Sequence, residues 1–155
     1  MDIQSLLKSH KPDLAPYEKV YKNLHQNPGL GLQEYLAAET AASHLSSLGY
    51  EVRTSIGGTG LIGILSNGAG KTILLRADTD ALPVEELTGL EYASKKKEVD
   101  VEDGVEKHVM HACGHDMHVS VMMAVAETLV KSKELWKGTV VCLFQPNEER
   151  AGGAK

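Results

Sequence analysis

The chain has 155 residues, 42% of them hydrophobic, with 16 basic against 21 acidic side chains and a formal net charge of -5. That is enough apolar material for the core of one domain of ordinary size, and the mixed charges form no basic stripe to track phosphates, which argues against a nucleic-acid partner. Met1 to Asp13 carries Lys8, His10 and Lys11 among few apolar residues, too polar for a secretory signal or a span, so a cytoplasmic protein without membrane association is expected.

Leu14, Tyr17, Val20, Tyr21 and Leu24 recur at helical spacing and Asn27-Pro28-Gly29 supplies a stop, which predicts a helix over 16–26 with His25 near its end. A second helix is predicted over 33–48, with Ala38, Ala41, Ala42, Leu45 and Leu48 on one face, His44 as an ordinary exposed or half-buried residue, and Gly49 as the C-terminal cap. Tyr50, Val52 and Thr54 alternate as a strand would, and Gly57-Gly58-Thr59-Gly60 then turns the chain. That glycine run lacks the Lys-Ser/Thr ending of a phosphate loop and no helical pattern follows it. The apolar runs 61–65 and 71–77 flank Asn67-Gly68-Ala69-Gly70, whose turn residues predict a hairpin between them.

Residues 88–107 are polar and read as a solvated surface loop or hairpin. Val121, Met122, Val125, Ala126, Leu129 and Val130 mark the buried face of a helix over 117–131, with Met122 and Met123 as core fillers. Gly138 precedes an interior strand over 139–145, where Cys142 sits as a buried free thiol. Two cysteines are too few for a disulfide framework.

This order of elements predicts an α/β fold, a three-layer sandwich around a mixed sheet, because parallel strands need helical crossovers while hairpins pair antiparallel. Functional residues in such sheets gather beyond the carboxyl ends of the strands. His108 to His118 holds four of the seven histidines together with Cys113. Thiolate, imidazole and carboxylate are the donors for a borderline-soft divalent metal such as zinc. Alone, Asp78 reads as a loop-capping carboxylate and Glu148-Glu149 as a solvated pair. Their placement after strands, with Cys113 to Asp116 entering a helix, lets all three clusters meet at one sheet edge.

Leu75-Arg76-Ala77-Asp78-Thr79-Asp80-Ala81-Leu82-Pro83, then Met110-His111-Ala112-Cys113-Gly114-His115-Asp116-Met117-His118, then Phe144-Gln145-Pro146-Asn147-Glu148-Glu149, resemble three ordered signatures of the aminoacylase and carboxypeptidase superfamily. The branch is that of the amidohydrolases that include hippurate hydrolase, the indoleacetyl-amino acid hydrolases and N-acetyldiaminopimelate deacetylase. His25-Gln26-Asn27-Pro28 with Gln33-Glu34, and Thr88-Gly89-Leu90-Glu91-Tyr92, extend the likeness over nearly the whole chain.

The resemblance implies that Cys113, His115 and Glu149 bind metal, that Glu148 is the catalytic base, and that Asp78 orients the site from behind the ligands. His111 and His118 also match the motif and are assigned here to supporting hydrogen bonds rather than to metal ligation. Arg76 stands where other relatives have a metal-binding histidine, a share taken over by Cys113 with His115. Adjacent acids in an extended segment point in different directions, which would let Glu149 face the metal and Glu148 the water beside it. The implied reaction is metal-dependent hydrolysis of the amide of an N-acyl amino acid or similar small molecule, with zinc the first choice and manganese, cobalt or nickel open.

The segment between Tyr92 and Met110 is longer than the resemblance requires and reads as an added surface feature. No histidine follows His118, whereas the resemblance implies further histidines and a lid domain after the Glu-Glu motif. Residues 1–155 are therefore expected to be the N-terminal part of a truncated metallopeptidase-like catalytic domain. The lid and dimerisation domain and the rest of the catalytic domain would be absent, leaving the chain catalytically silent and a homodimer possible only with the missing domain. Two other readings stand beside this one: a non-catalytic metal-binding fragment or interaction module, and a thiol-based redox or nucleophilic protein using Cys113.

Overall fold

The computed structural model describes residues 3–154; Met1, Asp2 and Lys155, which enter the readings of the N-terminal stretch and of the chain's ending, lie outside them. The elements run α1 (Ile3–His10), α2 (Ala15–Gln26), α3 (Tyr35–Ser47), β1 (Glu51–Ile56), β2 (Gly60–Asn67), β3 (Thr72–Asp78), β4 (Lys97–Val99), β5 (Glu106–His108), α4 (His115–Lys131), a short 3-10 turn (Lys133–Leu135) and β6 (Gly138–Gln145). The mixed α/β class is as expected, and α2, α3, α4 and β6 fall where hydrophobic spacing placed them. Helix α1 is an addition to that reading. Helix α4 starts two residues earlier than its apolar face suggested and so takes in His115 and Asp116. No helix of the described residues is long and apolar enough to cross a membrane.

The four-stranded sheet has the order β1-β2-β6-β3. Strand β2 pairs antiparallel with both β1 and β6, and β3 pairs parallel with β6. The hairpin expected between 61–65 and 71–77 is therefore not formed, because β6 lies between the two runs. The glycine-rich link instead crosses beneath the start of β6, where a Cβ on Gly70 would lie 2.8 Å from Gly138 Cα and from Lys137 O. The Asn67 side-chain amide anchors the crossing by donating to the carbonyls of Lys133 at 2.7 Å and Trp136 at 2.6 Å. The tight turn of this sheet is the one at Gly57–Thr59, joining β1 to β2. The polar stretch contributes the small hairpin β4–β5.

One core forms where the sheet meets the helices. Leu61 opposes Phe144, Gly63 opposes Cys142 and Leu65 opposes Val140, so these side chains share a face, and Leu75 and Ala77 of β3 join it from the other side of β6. Tyr17, Leu24, Leu45, Val119, Met122, Met123 and Ala126 pack on that face from α2, α3 and α4. Gly63 is required there: a Cβ would sit 2.6 Å from Leu45 Cδ1, so the glycine lets α3 seat against the sheet. On the opposite face Ile62, Ile64, Val141 and Leu143 are half-buried. Parallel pairing of β3 with β6 brings Asp78 level with Gln145, which sets both strands' carboxyl ends at one edge.

Candidate metal centre

Three segments leave that edge. The first is the end of β3 with Asp78, Thr79 and Asp80, the second the N-terminus of α4, and the third the turn after β6. Thr79 fixes the first to the third, its N–H and its hydroxyl both bonding Gln145 O at 3.1 and 3.0 Å. Gly114 precedes α4 with φ at 76°, a left-handed backbone that favours glycine, and this bend turns His115 into the site as the first helical residue. Positive helix-end charge favours the carboxylates gathered there.

His115 is the centre of the cluster. Its Nδ1 is 2.8 Å from Asp80 O and 3.3 Å from Asp80 Oδ1, neither of which can donate, so Nδ1 carries a proton and Nε2 is the nitrogen left for a metal. Around Nε2 stand Asp78 Oδ2 at 3.5 Å, Glu148 Oε2 at 3.8 Å and Glu149 Oε1 at 3.8 Å. Burial pushes the His115 pKa down, but the bonds His115 donates to Asp80 and the charge of Asp78 outweigh it and hold its pKa above the ordinary histidine value. Asp80 is also buried, yet its bonds from His115 and from the N–H groups of Glu149 and Glu148 keep its carboxyl below the usual range.

Asp78 is held by Arg76, whose Nη2 lies 2.7 Å from Asp78 Oδ1 while its Nε donates to Gln145 Oε1 at 2.6 Å. Cys113 is exposed beside Glu149; a hydrogen bond to that carboxylate, then burial, then the charges of Glu149, Glu148 and Asp80, push its thiol pKa up. All five residues named from the sequence, Asp78, Cys113, His115, Glu148 and Glu149, are thus brought to one place.

Their arrangement differs from expectation in three respects. Glu148 and Glu149 do not lie in an extended segment and do not point apart. Residues 147–152 form a turn, with Asn147 at φ 52°, Ala151 N–H bonded to Glu148 O and Gly152 N–H to Asn147 O, so both carboxylates reach the same imidazole. His111 is buried and no supporting bond is seen at its Nδ1, which has no partner among the described residues; burial lowers its pKa to about 4 and leaves it neutral. His118 stacks on His115 with ring centroids 5.4 Å apart and stands 3.7 Å from Asp78 Oδ2 without bonding it.

The donor set fits a divalent cation. Four carboxylates converge on one imidazole, more negative charge than that ring can balance. Two groups already have ligand atoms within 4.8 Å of one another, Asp78–His115–His118 and Asp80–His115–Glu148. Neither includes Cys113 or Glu149, although Glu149 Oε1 stands 3.8 Å from His115 Nε2.

Several supporting residues were not singled out from the sequence. Asp80 stands inside a motif but only the fold reveals that it holds both His115 and Glu149, accepting the latter's N–H at 2.9 Å. Glu34 is buried behind the turn, where it takes a hydrogen bond from Thr59 and accepts Asn147 N–H at 2.8 Å. His25 bridges Asp116 at 2.6 Å and Glu86 at 3.0 Å, tying α2 and the loop after β3 to the start of α4. Glu86 carried no signal in the sequence; only the fold brings it to His25.

Comparison with known proteins identifies the family and the fold. Residues 74–155 match peptidase family M20/M25/M40. The chain is 43% identical over 140 residues to hippurate hydrolase of Campylobacter jejuni, a match covering 90% of this chain and 33% of that protein. It is 37% identical over 159 residues to N-acetyl-L-cysteine deacetylase of Bacillus subtilis, covering 99% of this chain and 36% of the relative. A solved structure from Bacillus subtilis, described as a dinuclear metal-binding peptidase of the M20 family, superposes with a TM-score of 0.79 at 33% identity, covering 95% of this chain and 38% of that one. The chain thus spans about a third of the length of these curated relatives.

Proposed function

The chain belongs to peptidase family M20/M25/M40, and from that membership we propose that it carries the metal-binding part of an amidohydrolase acting on N-acyl amino acids or similar small amides. The observation that carries the reading is the meeting of Asp78, Glu148 and Glu149 around His115 Nε2, with Cys113 against Glu149. In this reading Cys113, His115 and Glu149 hold the metal, with zinc the first choice for a Cys-His-Glu set and manganese, cobalt or nickel as alternatives. A bound divalent ion would supply a polarised carbonyl and a water with its pKa lowered toward about 7.

The protein's own residues supply the rest. Asp80 keeps the proton of His115 on Nδ1, so that Nε2 presents a lone pair. Asp78, itself oriented by Arg76, sets a carboxylate oxygen 3.5 Å from that lone pair, so that both would face a shared cation. Glu148 is the more exposed of the two acids, which suits a base that takes a proton from water and passes it to the departing amine. The names of the two relatives, a hippurate hydrolase and an N-acetyl-L-cysteine deacetylase, support a small N-acyl amino acid as the substrate class.

A thiol nucleophile at Cys113 fits less well. Such a group needs a lowered pKa, and the surrounding carboxylates push this thiol the other way; only a cation would reverse that. A second ligand set, Asp78 with His115 and His118, is favoured by the closeness of their donor atoms.

The test uses this chain for metal content and, for hydrolysis, a chimera in which it replaces the matching segment of the Campylobacter jejuni hydrolase. Glu148→Gln should keep metal and lower hippurate turnover by about a hundredfold to ten-thousandfold, the usual worth of a general base. Glu149→Gln should instead weaken metal binding. The reverse pattern would exchange the two roles, and turnover unchanged in both variants would overturn the reading.

A further inference from the structure

The β4–β5 hairpin belongs to the stretch that reads in sequence as an added surface feature, yet its best-buried side chain does not face solvent. Asp100, 1% exposed, begins the hairpin turn, where its N–H bonds Val105 O and its carbonyl accepts Gly104 N–H. Asp100 Oδ1 accepts Glu102 N–H at 3.0 Å, and Oδ2 takes Lys107 Nζ at 2.8 Å and Arg150 Nη2 at 2.6 Å. Arg150 is the residue after Glu149. Its Nη1 also lies 3.4 Å from Glu102 Oε2. The acidic run Asp100, Glu102 and Asp103 is thus occupied by two cations of the chain itself and is no open cation site.

The hairpin is a firm support for such a tether. Glu98 Oε2 accepts Leu30 N–H at 3.0 Å, Lys96 Nζ reaches Pro28 O at 2.7 Å, and Gln33 bonds both Val99 O and Val101 N–H. The far side of the turn is fixed independently by Glu34 on Asn147 and by Asp80 on the N–H of Glu149. Between these anchors the acidic pair has little freedom, and the Arg150 bond is the one that comes from the added segment.

We propose that Asp100, acting through Arg150, is a positioning residue that holds the Glu148–Glu149 turn at the candidate metal centre, an inference that rests on the functional reading above. Burial pushes the Asp100 carboxyl up, but Lys107, the Glu102 N–H and Arg150 outweigh it and hold it well below the usual carboxylate range, so the tether is charged at neutral pH. Removing either partner takes away one of the turn's three side-chain anchors, and the Asp80 bond to the Glu149 N–H then opens more readily. Lys107 shares the same oxygen but does not touch the turn, which makes it the control for a role confined to the hairpin.

The test takes the chain with Asp100→Asn, Arg150→Met, both together, and Lys107→Met. Amide hydrogen exchange at Glu149 is followed by NMR without metal, with Phe144 as internal reference, and zinc affinity is read by competition with a chromophoric chelator. Asp100→Asn and Arg150→Met should each speed exchange at Glu149 and weaken zinc binding by about threefold to tenfold, below the tenfold to hundredfold typical of direct supporting partners. The double variant should be no worse than either single one, and Lys107→Met should change neither reading. Unaltered Glu149 exchange in Asp100→Asn, additive effects in the double variant, or an equal effect of Lys107→Met would overturn the proposal. Absence of zinc binding in the parent chain, with Glu149 exchange still responding to Asp100 and Arg150, would sink the metal reading and leave the tether standing.

Discussion

His25 carries the most testable energetic consequence of the fold. Its ring lies between Asp116 and Glu86, and the three side chains are 7%, 1% and 0% exposed. Substituting His25→Ala leaves two buried carboxylates without their shared cation. Breaking a buried charge pair by removing one member costs about 3–5 kcal/mol. Here each acid keeps a backbone donor, Ser94 N–H at 2.6 Å for Glu86 and Met117 N–H at 2.8 Å for Asp116, which places the loss near the lower end, about 3 kcal/mol. For a chain of this length that lowers Tm by about 6–12 °C.

The pH dependence has a definite sign. Burial lowers the His25 pKa, but the bonds to Glu86 and Asp116 outweigh it and raise it overall, so its contribution is complete below the ordinary value of about 6.5 and is lost as pH climbs through the raised one. Burial raises the Glu86 pKa, but Thr88, the Ser94 N–H and His25 lower it overall, so its contribution is present above about 4.3 and is lost as pH falls through the lowered value. Thermal unfolding by circular dichroism should therefore show the widest gap between parent and variant from about pH 4.3 to 6.5, narrowing on either side. A gap of less than about 2 °C, or one of constant width from acid to alkaline pH, would refute the assignment of a buried charged triad.

Phe144→Ala removes a fully buried ring from the central strand, opposite Leu61, and should cost about 3–5 kcal/mol in urea unfolding. A loss of under about 1 kcal/mol would mean that the helix-covered face of β6 is not the core. Gly153→Ala would put a Cβ 1.8 Å from Pro146 O, a backbone atom that cannot step aside without shifting the turn that bears Glu148 and Glu149. Zinc affinity in that variant should fall by about tenfold with β6 intact; unchanged affinity would show that the turn's position does not matter for metal binding.

Helices α2, α3 and α4 were legible because their apolar residues recur at helical spacing and pack as one face, and β6 because a continuous apolar run suits a strand paired on both sides. The error over the 61–65 and 71–77 runs has a physical source. A glycine-rich link between two apolar strands has the same composition whether it closes a hairpin or crosses beneath an intervening strand, and only the later residues 138–145 decide which. The site residues were legible as motifs, but not their support. Asp80, Glu34, Asp116 and Glu86 on His25, and Asp100 with Arg150 act across separations of 25 to 113 residues, and no local pattern marks such partners. The acidic pair was placed correctly after the strand, but its opposed orientation does not hold, because alternation belongs to a strand and β6 ends at Gln145, before the pair begins.

The most direct test of the central claim is X-ray absorption at the zinc edge, recorded on the zinc-loaded chain and on its Cys113→Ser variant. The account predicts one sulfur at about 2.3 Å with nitrogen and oxygen at about 2.0–2.2 Å, and loss of the sulfur shell in the variant. A shell of nitrogen and oxygen alone, identical in the two proteins, would contradict it and leave the metal to a set without Cys113, Asp78–His115–His118 or Asp80–His115–Glu148.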